Sequence, residues 1–155
     1  KANFKFESQE IRADIVAFIE QYLQTVAKDY AGADLNIEVI SEVAAPFEIN
    51  LKPISISIIF DNLLTNAKKA GAKTVGITIK SPSKDFIEIV LEDDGKGLPA
   101  SITNSNDIFR KGVTTTSGSG LGLFHVMKVL QDMNGSISVS SVGPKGVAFT
   151  IRINK

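Results

Sequence analysis

Apolar positions recur along the chain with two different periods, and the points where the period changes divide it into elements. Over residues 9–30 the spacing is helical, with Ile11, Ile15, Phe18, Ile19, Tyr22 and Val26 on one face and Ser8 placed to cap the start. AGAD (31–34) breaks that pattern, and LNIEVI (35–40) and FEINL (47–51) alternate as strands. A further short strand is expected over residues 4–6. Pro53 suits the first turn of a second helix, which runs to about Ala70 and stops at Gly71. TVGITIK (74–80) and DFIEIVLED (85–93) then alternate on either side of SPSK, as a hairpin would. A third helix is expected over residues 120–133 with Leu123, Val126, Met127 and Leu130 inward, followed by strands SISVSSV (136–142) and VAFTIRI (147–153). The sum is an α+β domain built on one sheet. Its sheet is mixed and mostly antiparallel, with about three helices on one face and most strands paired as hairpins.

Between residues 94 and 120 the pattern lapses. The text there is rich in Gly, Asp, Asn, Ser and Thr, and a loop of that length inside a compact domain is usually functional. Composition narrows what that function can be. The 155 residues, 43% of them hydrophobic, suit a single domain over residues 1–155. Lys plus Arg and Asp plus Glu both number 17, which argues against nucleic acid as the main partner. There is no cysteine and one histidine, so neither thiolate chemistry nor a zinc site is expected. No apolar run approaches the ~20 residues needed to span a bilayer, so this domain is not expected to insert into a membrane. Lys1 stands where a methionine would open a complete chain, which predicts a piece of a longer protein.

Three stretches carry candidate chemistry. TTTSGSGLGLFHV (114–126) places Gly118, Gly120 and Gly122 at the mouth of a helix, where free N–H groups and the helix dipole favour an anion. A plain helix start after a flexible loop reads the same way. The stretch is neither a Walker A loop nor a Rossmann fingerprint. EDDGKGLP (92–99) sets Asp94 at the end of an apolar strand beside Gly95 and Gly97. A carboxylate there could accept from the exocyclic amine of adenine, whereas guanine would offer a carbonyl; a simple turn is the alternative. In FDNLLTNAKKAGA (60–72), Asn62, Asn66 and Lys69 share one helical face. Asparagine is a poor helix former, so two in mid-helix point to a site, although a solvated polar face would show the same pattern. An amide oxygen suits Mg²⁺ that keeps water and phosphate oxygens, and Lys69 could meet phosphate.

Taken together, these motifs resemble those of the GHKL ATP-binding superfamily, most closely the catalytic domain of bacterial sensor histidine kinases. NLLTNAKKAGA matches the N box, DDGKGLP with its DxGxG core the first glycine box, DIFRKG (107–112) the F box, and GSGLGL (118–123) the second glycine box. The order and spacing agree from about Pro53 to Ile153. The resemblance implies a two-layer α/β sandwich, a Bergerat-type fold binding Mg-ATP, with Asn66 as the Mg²⁺ ligand, Asn62 assisting and Lys69 beside them. It implies Asp94 reading the adenine amine, with Gly95 and Gly97 giving clearance. A lid over residues 98–118 would begin at Leu98 and be anchored by Phe109. Lys111, Thr115, Gly118, Ser119, Gly120, Leu121, Gly122 and Leu123 would complete the nucleotide contacts. Three positions depart from the family's habit. Thr114 to Thr116 stand where a late-lid Lys or Arg is common, Val147 where a threonine is, and Ala70 where an aromatic or histidine is.

The hydrolysing branch of the superfamily places a glutamate four residues before the metal asparagine. Here that residue is Asn62, which lacks useful basicity, and Asp61 is turned about 100° away on the helix. The resemblance therefore implies a histidine kinase, donating the γ-phosphoryl to a histidine on a separate dimerisation domain, with a response regulator downstream. It also implies a cytoplasmic location in a parent that could be membrane-anchored. A serine kinase of the anti-sigma type, a hydrolysing ATPase and a non-catalytic nucleotide-binding module are the alternatives. His125, in the helix behind the glycines, is expected to be a packing or surface residue and not a phosphoacceptor.

Overall fold

The computed structural model describes residues 8–98, 105–110, 121–142 and 145–155. The expected strand over residues 4–6 lies outside them, as do Lys111, Thr115, Gly118, Ser119 and Gly120 and most of the expected lid. The chain begins with β1 (Ile11–Asp14) and α1 (Ile15–Ala31), then β2 (Asn36–Ser41), β3 (Glu48–Leu51) and α2 (Pro53–Lys69). β4 (Thr74–Ser83) and β5 (Phe86–Asp93) follow, then a 3-10 turn at Ser105–Phe109, α3 (Gly122–Asp132), β6 (Gly135–Ser141) and β7 (Val147–Asn154).

Five strands form one sheet in the order β2-β4-β5-β7-β6, parallel only between β2 and β4. That parallel pair needs a long crossover, and α2 lies within it. Val75, Ile77 and Ile79 on β4, Ile87, Ile89 and Leu91 on β5, and Phe149, Ile151 and Ile153 on β7 are all buried. Ile56, Ile59, Phe60, Leu63, Leu64 and Ala67 of α2 share their core, with Leu123, Val126 and Leu130 of α3. The alternate sheet positions, such as Lys80, Glu92 and Arg152, are exposed. The expected α+β two-layer architecture is the one observed.

The first segment departs from expectation. Residues 11–14 pair antiparallel with β3 as a two-stranded ribbon, so α1 starts at Ile15 and Ser8 does not cap it. The cap is Asp14, whose Oδ1 accepts from the Val16 N–H at 3.1 Å and from the Phe47 N–H at 3.1 Å. The same carboxylate thus starts the helix and ties it to the chain entering β3. With the start moved, the buried face becomes Ile15, Val16, Ile19 and Leu23. β2 and β3, both legible as strands, belong to different sheets.

Candidate functional site

The end of α2 and the ends of β5 and β7 converge on one small cavity of about 20 Å³, lined by Asn66, Ala70, Asp93, Gly97, Leu98, Ile108, Val147 and Phe149. Its volume is roughly that of one water-sized probe. Leu98 and Ile108 form one wall, and residues 99–104 between them lie outside the described part.

The carboxylate in this cavity is Asp93 and not Asp94. Strand β5 buries every second side chain, Ile87, Ile89 and Leu91, and Asp93 is next in that series. It is 7% exposed, the only buried charged side chain among the described residues. Its Oδ1 accepts from the Gly95 N–H at 2.8 Å. Burial pushes its carboxyl above the usual range, against hydrogen bonds from the Gly95 and Val147 amides, and the neighbouring Asp94 charge pushes it further up. Asp94, one residue on, falls on the opposite face and is exposed. Its Oδ1 accepts from the Lys73 N–H at 2.7 Å and the Thr74 N–H at 3.0 Å, and the Thr74 and then the Lys73 hydrogen bonds hold its carboxyl below the usual range. Asp94 therefore pins the start of β4. The signal that would have separated the two was available, because DxGxG, matched from its first residue, begins at Asp93.

Backbone fit holds Asp93 in place. Gly146 has φ +93°, and a Cβ there would stand 2.5 Å from the Asp93 carbonyl oxygen. A Cβ on Gly95 would stand 2.9 Å from both Cβ and O of Ala70, whose carbonyl also accepts from the Lys96 N–H at 3.0 Å. The glycine expected to give clearance does so against α2, clipping the end of β5 to the end of that helix. Gly97, at φ +86°, and Leu98 carry the chain past the cavity.

Of the helix residues, Asn66 lines the cavity, whereas Lys69 is exposed in the last turn. Asn62 is half-buried and not part of the cavity wall. Its Nδ2 donates to the Ile58 carbonyl at 2.7 Å, and its Oδ1 faces Gly122 at the start of α3. Asp61 accepts from the Tyr22 hydroxyl of α1, away from the cavity side. Phe109 is buried, its ring edge-on to Phe149 at 6.1 Å between centroids, so the 3-10 turn is anchored on β7. Leu121 is 44% exposed at the head of α3, Leu123 is buried beneath it, and His125 is exposed.

Residues 51–155 match the family described as histidine kinase-, DNA gyrase B-, and HSP90-like ATPases, and the chain belongs to that family. It is 29% identical over 154 residues to the sensor histidine kinase RcsC of Escherichia coli (strain K12), covering 96% of this chain and 16% of RcsC. The fold is shared with the catalytic domain of the histidine kinase ThkA, at a TM-score of 0.77 and 19% identity over 95% of this chain and 98% of that one. It is likewise shared with full-length ShkA in complex with AMPPNP, at a TM-score of 0.76 and 22% identity over 94% of this chain and 31% of ShkA. The expected superfamily and its histidine-kinase neighbours are thus the ones found. Among the described residues no helix is long and apolar enough to cross a membrane.

Proposed function

We propose that this domain binds Mg-ATP and presents the γ-phosphoryl to a histidine on a dimerisation domain of the same protein. The observation that carries the reading is the buried Asp93 carboxylate in a cavity shared with Asn66. A buried acceptor at a strand end matches the exocyclic amine of adenine and opposes the carbonyl of guanine. The raised Asp93 carboxyl reflects the desolvation that makes such a contact selective. Gly95 and Gly97 carry the backbone past the base, and Leu98, Ile108 and Phe149 supply apolar contact.

Asn66 lies on the same cavity wall, one helical turn before Ala70, and is the residue to hold the metal. Among the described residues no three His, Asp or Glu side chains cluster as metal ligands, so an ion held by Asn66 would take its remaining ligands from phosphate and water. Bound there, Mg²⁺ would neutralise charge on the phosphates. The protein's own part is positioning: Asp93 fixes the base, α2 carries Asn66, and the head of α3 faces the phosphates. No carboxylate stands at Asn62 and Asp61 is held by Tyr22, so transfer to a partner fits better than hydrolysis. A response regulator downstream follows from the same reading, as does a place in a sensor kinase several times longer than this chain.

Calorimetric titration with ATP and GTP, with and without magnesium, tests the binding. ATP should bind, GTP should bind at least about tenfold more weakly, and Asn66→Ala should remove most of the magnesium dependence. Equal affinity for the two nucleotides would overturn the reading. Transfer is tested by adding the parent's helical acceptor region and radiolabelled ATP. Acid-labile label should appear on that region and not on His125.

A further inference from the structure

We infer that Asn62 is a positioning residue: it spaces α2 from the head of α3 and does not itself ligate metal. The inference rests on the nucleotide-site reading, but its evidence is steric. Asn62 and Asn66 stand one turn apart on the same helix, yet only Asn66 lines the cavity. The Asn62 amide is already engaged, with Nδ2 donating to the Ile58 carbonyl at 2.7 Å. A carbonyl can only accept, so this bond fixes which end of the amide faces which way. The nitrogen turns back to its own helix and the oxygen points out. That oxygen occupies the place where a Cβ on Gly122 would stand, 2.8 Å away, closer than real Cβ atoms approach.

Gly122 is the first residue of α3, and its N-cap, Leu121, makes no side-chain capping hydrogen bond. Leu123 packs the head of α3 into the core, and at Gly122 itself the group that meets it is the Asn62 amide. The two halves of the contact explain each other. Asparagine in mid-helix is locally unfavourable, and glycine in a first helical turn contributes no packing. Together they let α3 approach α2 to side-chain-to-backbone distance. The oxygen, the atom of the amide that could ligate a metal, is the one directed at Gly122 and not into the cavity that Asn66 lines.

A double-mutant cycle tests this with Gly122→Ala, Asn62→Ala and the combination, read first as melting temperature without nucleotide and then as ATP affinity with and without magnesium. Gly122→Ala should melt earlier and bind ATP about tenfold more weakly, and adding Asn62→Ala should restore most of both, because neighbours that share a contact are non-additive. Asn62→Ala alone should weaken ATP equally with and without magnesium, unlike Asn66→Ala. A double variant no better than Gly122→Ala would overturn the spacing, and loss of magnesium dependence in Asn62→Ala would overturn its not being a ligand. If Gly122→Ala does not fold, folding of the double variant supports the spacing, and its failure beside a folded Asn62→Ala overturns it. A wild type that binds no ATP would overturn the nucleotide reading, while the melting cycle would still decide the spacing.

Discussion

The two ends of the polar face of α2 are held very differently. Around Ala70 the helix end meets the end of β5 through backbone fit, and β5 in turn meets the chain entering β7. The end of β5 is clipped by the Lys96-to-Ala70 hydrogen bond, Gly95 presses against Ala70, and Gly146 presses against the Asp93 carbonyl. One turn earlier, Asn62 meets α3 through a single amide oxygen. The first end is built on a hydrogen-bonded ladder and can hold one carboxylate to a fraction of an ångström, which discrimination between bases requires. The second adds a single polar side-chain contact to the apolar packing of α3 on the shared core.

The sharpest break of this comparison is Asp93→Asn against Asp94→Asn. The first should cost ATP affinity about a hundredfold, because a buried acceptor gains a donor that opposes the adenine amine. The second should cost less than about threefold, since an exposed residue that pins β4 is not part of the cavity. Equal losses in calorimetry would return the acceptor to Asp94. Gly146→Ala comes next. With φ at +93° and a Cβ 2.5 Å from the Asp93 carbonyl, it should destabilise the domain by about 2–4 kcal/mol in urea unfolding and weaken ATP with it.

Acid should then set the two carboxylates apart. Burial raises the Asp93 carboxyl, so ATP affinity should begin to fall at a higher pH than an ordinary carboxylate would dictate, and Asp93→Asn should abolish that fall. For folding, Asp93's contribution is present at low pH and is lost as pH rises through its folded value. Asp94 has the opposite sign. Its lowered carboxyl stabilises above its unfolded value, and that contribution is lost as pH falls through the folded one. Titrating affinity and melting temperature separately would resolve the two. The smallest effect lies far from the site: Asp14→Ala should cost about 1–2 kcal/mol by removing the α1 cap and its tie to Phe47, with ATP affinity unchanged.

Strongly periodic segments were legible from the sequence alone. α2, β4, β5, α3, β6 and β7 lie within a few residues of where alternation or helical spacing put them. The start of α1 was not, because Ile11 fits a helical face and a strand equally well, and only pairing with β3 decides between them. The same limit hid the partner of β2, since alternation marks a strand but not its neighbour. At the site, the family motifs include Asn66, Gly97 and Leu98 of the eight cavity-lining residues, but they point to Asp94 where the cavity carries Asp93. Counting inward positions along Ile87, Ile89 and Leu91 reaches Asp93, so period two held the answer that the doubled Asp obscured. The Asn62–Gly122 contact had no sequence signal. Each residue stands out in its own helix, but nothing in the sequence pairs them across the sixty positions that separate them.

The order of strands has a consequence for synthesis. β7 is the last of the described strands in chain order, yet it sits between β5 and β6 in the sheet. Until residues 147–154 leave the ribosome, β5 has an open edge and β6 has no partner in the sheet. The cavity then lacks Val147 and Phe149 as well. A nascent chain halted before this point would expose two unpaired strand edges, the kind of surface that invites pairing with another chain. Completion of the pocket and protection of the sheet are thus a single, late event in the making of the molecule.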